Sequence, residues 1–161
     1  MSRLDDARRA DQARSPAGDA LTDLVIRTFR LNGLFLAAAE DMARPAGLTA
    51  ARWQVLGAVL RAPLTVSGVA RAMGLTRQSV QRLADALVAD GLAEYADNPR
   101  HRRARLLRPT DAGWDAIAVI RPLQHAFTHR VTEGMAAEEL RQAVAVMDRL
   151  IARLQDHSPA D

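Results

Sequence analysis

Residues 65–83 read Thr-Val-Ser-Gly-Val-Ala-Arg-Ala-Met-Gly-Leu-Thr-Arg-Gln-Ser-Val-Gln-Arg-Leu. The pattern predicts two helices joined by a tight turn. The first is short, turns Val66, Val69, Ala70 and Met73 inward, and ends at Gly74. A glycine there supplies the positive φ that a sharp helix exit requires. Thr76 is a good N-cap for the second helix. In that helix Val80, Leu83, Ala84, Leu87 and Val88 keep the i, i+3, i+4, i+7, i+8 spacing of a one-sided helix, and Gly91 falls at its C′ position. Ala70 is small enough for the helices to approach, and Val69, Leu75, Val80 and Leu83 lock them. This is a helix-turn-helix pattern.

On a wheel of about 100° per residue, Gln78, Gln81, Arg82 and Asp85 lie opposite the apolar face. Arginine pairs bidentately with guanine and glutamine with adenine in the major groove. Thr76, Arg77 and Ser79 occupy the first turn, where hydroxyls, a guanidinium and free N–H groups can hold phosphate. A polar helix face alone is most often merely solvated. Here a basic hairpin follows in register. Residues 92–96 and 104–108 fit strands around the turn Asp97-Asn-Pro-Arg-His-Arg-Arg103. Arg100, Arg102, Arg103, Arg105 and Arg108 are five arginines within nine residues. Such a run is usually only solvated, but at a hairpin tip it suits phosphate or a narrow minor groove.

Residues 1–18 read as a flexible polar tail and 19–46 as a helix. Leu21, Leu24, Val25, Leu31, Phe35 and Met42 give that helix an apolar surface wide enough for a partner chain. A helix over 49–61 is capped by Thr49 and stopped by Pro63. Thr110 caps a later helix that Pro122 is expected to break or kink, and a final helix follows Gly134. The fold class is mainly α with a small β-hairpin.

The 161 residues are 48% hydrophobic, 25% charged and 4% aromatic, an ordinary soluble composition for one domain with added helices. The absence of cysteine excludes disulfides, iron–sulfur clusters and thiol redox sensing. The longest apolar runs, 34–39 and 55–60, fall far short of the roughly 18 residues of a membrane span. Acids among the N-terminal arginines argue against a secretory signal, so a cytoplasmic location with no membrane partner is expected. Net charge is +3 from 22 basic residues, all arginine, and 19 acids. Residues 71–108 hold eight arginines and four acids (8 − 4 = +4), leaving −1 elsewhere, so one region is suited to an acidic partner.

No nucleophile with an orienting base, carboxylate pair or phosphate loop is visible, so no enzyme is expected. His125, His129 and Glu133 share a helix face at a spacing that can hold a divalent metal. Without further ligands they read as surface or contact residues, and no metal or cofactor is assigned.

The segments 65–83, Gly91-Leu92, Asn98-Pro-Arg-His-Arg-Arg-Ala104 and Pro109-Thr-Asp-Ala-Gly113 together resemble the MarR (multiple antibiotic resistance regulator) family. The resemblance covers about 20–155. It implies a winged helix-turn-helix in a homodimer that represses nearby genes on a double-stranded operator until a small ligand intervenes. Residues 19–46 and 110–157 would be dimerisation helices around a DNA-binding domain at 47–109. The recognition helix would be 76–89. Thr76, Arg77, Gln78, Ser79, Gln81 and Arg82 would meet DNA from it, and Arg100, Arg102, Arg103 and Arg105 from the wing. Arg103 takes the place of the family's wing arginine, while His101 replaces the acid of its Asp-x-Arg motif and leaves the wing more positive. The resemblance also implies a pocket for an aromatic or anionic effector near Phe29, Phe35, Trp53 and Trp114, where Arg27, Arg30 or Arg52 could meet a carboxylate. The alternative is a helical interaction module that keeps the fold with only nonspecific DNA affinity.

Overall fold

The computed structural model describes residues 15–101 and 103–157. The expected tail therefore lies largely outside the described residues, as does Arg102. Among the described residues there are six α-helices and one three-stranded sheet. The chain divides after Ile120 into two compact units.

In the first unit α1 spans Pro16–Ala43. It starts three residues before the expected boundary because Ser15 caps it and Pro16 opens it. A 3-10 turn, Arg44–Ala46, closes on Gly47 at φ 70°. Helix α2, Ala50–Ala58, is capped by Thr49, and Glu40 of α1 accepts from the Ala50 N–H at 2.7 Å. It ends before Pro63 is reached, because Val59 leaves the helical region at φ −101°, ψ 3°. Strand β1, Leu64–Thr65, was not expected; it leads straight into α3, Val66–Met73. Gly74 terminates α3 at φ 63°, and α4, Arg77–Ala89, begins beyond Thr76.

The sheet is antiparallel in the order β1-β3-β2, with β2 at Ala93–Ala96 and β3 at Leu106–Pro109. Strand β3 lies later than the expected 104–108. The loop takes Ala104 instead: its N–H donates to His101 O at 3.0 Å and its carbonyl accepts from Asn98 Nδ2 at 2.8 Å. Leu56, Leu87, Leu107, Val69, Val80 and Ile120 are fully buried and join the helix-turn-helix to the sheet and to the first half of the helix that follows it.

Helix α5, Asp111–Val131, runs on through Pro122 rather than breaking. The carbonyl left without a helical partner belongs to exposed Ala118, where water can satisfy it. The second unit contains the end of α5, a turn with Gly134 at φ 76°, and α6 at Ala137–His157. Glu139 accepts from the Ala136 N–H at 2.8 Å and so caps α6. No described helix is long and apolar enough to cross a membrane.

Candidate nucleic-acid interface

The N-terminus of α4 is held by its own side chains. Thr76 Oγ1 accepts from the Ser79 N–H at 3.1 Å and donates to Ser79 Oγ at 2.9 Å. Thr76, Arg77, Gln78 and Arg82 are exposed, whereas Ser79 and Gln81 are half-buried. The opposite face is anchored by buried Val80, Ala84 and Leu87. At the far end Arg52 of α2 pairs with Asp90 and donates to Ala86 O at 3.3 Å. Arg52 is therefore a strap across α4. Arg27 likewise pairs with Asp23 of its own helix at 3.2 Å.

The hairpin carries its charge in two ways. Arg108 pairs with Glu94 at 2.7 Å, and Arg105 donates to the Tyr95 carbonyl at 2.5 Å while lying 5.5 Å from the ring centre. Arg100 and Arg103 are exposed and, like Arg77 and Arg82, form no ion pair among the described residues. Asn98 organises the tip, with Oδ1 accepting from the Arg100 N–H at 3.0 Å and Nδ2 bonded to Ala104 O.

Helix and wing meet at a cleft of about 300 Å³ lined by Ser67, Arg77, Gln81, Tyr95, Arg103 and Arg105. Gln81 departs from expectation. Its Nε2 donates to Asp85 Oδ1 and to Tyr95 Oη, each at 2.8 Å, and Tyr95 Oη donates to the same carboxylate oxygen at 2.8 Å. Burial, then the hydrogen bond and charge of Asp85, push the Tyr95 hydroxyl up from 10.0 to about 12, against the smaller effects of Gln81 and Arg105. Tyr95 was not singled out from the sequence. Its partners lie 14 and 10 positions away, beyond any local period.

Trp53 packs against the core, while Phe29, Phe35 and Trp114 stand exposed. Among the described residues no three histidine, cysteine or acidic side chains gather as a metal site.

A helix-turn-helix whose second helix packs beside an arginine-rich β-hairpin defines a winged-helix protein. The sequence pattern of the MarR family matches residues 46–104. Uncharacterized proteins of Mycobacterium tuberculosis and Mycobacterium bovis are each 36% identical over 141 residues, covering 88% of this chain and 99% of theirs. A crystal structure of a MarR-family transcription regulator is 26% identical with a TM-score of 0.71, over 87% of this chain and 95% of that one. The Mycobacterium tuberculosis regulator MosR, solved in complex with DNA, is 21% identical with a TM-score of 0.67, over 81% and 96%. The chain belongs to the MarR family of DNA-binding transcription regulators.

Proposed function

We propose that this regulator is a ligand-responsive repressor that binds a near-palindromic operator as a homodimer. The observation that carries the reading is the cleft lined by Arg77, Arg103 and Arg105, where Arg77 and Arg103 have no ion pair among the described residues. It offers a duplex phosphate path between recognition helix and wing. In this reading Thr76 and Ser79 support the phosphate contacts, Gln78 and Arg82 meet base edges, and Arg100 and Arg103 follow the backbone or minor groove. The homodimer is supported by α1, where Ile26, Phe29 and Leu34 are 61%, 74% and 60% exposed. Soluble monomers seldom leave such a surface uncovered. Two-fold symmetry then sets half-sites about 10 base pairs apart. An aromatic or anionic effector, held near Phe29, Phe35, Trp53 and Trp114, acts by favouring one dimer geometry over another.

The test is selection of bound duplexes from a random pool at two salt concentrations. A palindromic motif at both salts is the expected result. Retention at low salt alone, without a motif, would leave only nonspecific affinity and point to an interaction module.

A further inference from the structure

We propose that Tyr95 is a positioning residue for base preference: from the wing strand it closes a ring with Gln81 and Asp85 that keeps Gln81 out of two-point adenine reading. The inference rests on the DNA-binding reading above and refines it. An amide side chain reads adenine by donating from its nitrogen to N7 and accepting from N6 at its oxygen. That nitrogen has two hydrogens. In Gln81 one goes to Tyr95 Oη and the other to Asp85 Oδ1, both at 2.8 Å. The phenol completes the ring by donating to Asp85. To reach a base Gln81 would have to leave both partners and strip Asp85 of a donor.

The tyrosine is fixed from its other side as well. Arg105 lies against the ring and binds the Tyr95 carbonyl, so hydroxyl, ring and backbone are all held. The ring thus ties β2 to α4 and leaves base reading to the exposed Gln78 and Arg82.

The test compares motifs selected from random duplexes by wild type, Gln81→Ala, Tyr95→Phe and the Tyr95→Phe/Gln81→Ala double variant. Phenylalanine keeps the ring under Arg105 and removes only the hydroxyl. Gln81→Ala alone should leave the wild-type motif as it is. Tyr95→Phe should add a roughly ten-fold adenine preference at one further position per half-site, which the double variant loses. The dependence of affinity on salt should not move, because no phosphate contact changes. Asp85→Ala, at an exposed position, opens the ring from the opposite side and should add the same preference, which covers the case of a poorly folding tyrosine variant. Motifs unchanged in both Tyr95→Phe and Asp85→Ala overturn the inference, as does a preference lost in Gln81→Ala alone. A wild type that enriches no motif overturns the DNA-reading proposal itself, and this one with it.

Discussion

Arg103 tests the wing most directly, because its guanidinium is exposed and has no ion pair among the described residues. Arg103→Ala should weaken binding on every duplex alike and make the log affinity against log salt slope shallower by about 0.9, the share of one phosphate contact. Anisotropy titrations over several salt concentrations measure this, and an unchanged slope removes Arg103 from the DNA. Arg108, neutralised by Glu94, should change the slope less. Gly113 is a matter of space rather than charge. A Cβ there would lie 2.1 Å from the Leu92 carbonyl oxygen, a backbone atom that cannot swing aside. Gly113→Ala should cost about 1–3 kcal/mol or more, read as a lower melting temperature. A wild-type melt would show that the start of α5 shifts freely. Tyr95 adds a pH effect. Its folded pKa of about 12 lies above the unfolded value of 10.0, so the neutral phenol is favoured by folding. The ring's stabilisation is full below pH 10 and is lost as pH rises towards about 12. Tyr95→Phe should flatten this alkaline loss in chemical denaturation, and an equally steep loss in the variant would assign it to other groups.

At the scale of elements, the ends of the helices are the part that residue chemistry dictates. Thr76 both caps α4 and orients Ser79. Thr76→Ala should therefore cost about 1 kcal/mol of stability and loosen the turn presenting Arg77 and Gln78. Denaturant unfolding with DNA binding measured in parallel checks both effects; full stability would mean that packing alone fixes the start of the helix. Thr49, Thr76, Thr110, Gly74 and Gly91 were legible for this reason, since each acts on backbone within a few residues of itself. Strand β1 was not. Two residues carry no period, and Leu64 and Thr65 become a strand only by pairing with Leu107 and Leu106. The course of the chain through Pro122 was also illegible, because it depends on whether the orphaned carbonyl finds water. In the interface, the face bearing Gln78, Arg82 and the wing arginines followed from the 3.6 period and the charge run. The engagement of Gln81 by Tyr95 and of Arg52 by Asp90 did not, because tertiary contacts decide which polar side chains stay free.

For the whole molecule, the decisive feature is how much apolar surface α1 leaves exposed among the described residues. Only Ala43 of its 28 residues is fully buried, and Leu21, Val25, Phe29 and Phe35 stay largely open to solvent. In the second unit, α6 has no buried residue and exposes Val144, Met147 and Ile151. The hydrophobic effect makes such surfaces costly unless something covers them, and a second copy is the occupant the proposed two-fold operator requires. Phe29→Glu separates this proposal from the folding of one chain. The side chain is 74% exposed, and glutamate is a good helix former, so the winged-helix core should fold and melt much as before. Sedimentation should shift from dimer to monomer. Affinity for a full operator should fall by a factor on the order of 10² to 10⁴ towards that of one half-site, since the gain from linking two binding sites is lost. Affinity for an isolated half-site should barely move. A variant that remains dimeric would place the interface away from the middle of α1. A monomer that keeps full operator affinity would instead show that one wing and one recognition helix suffice.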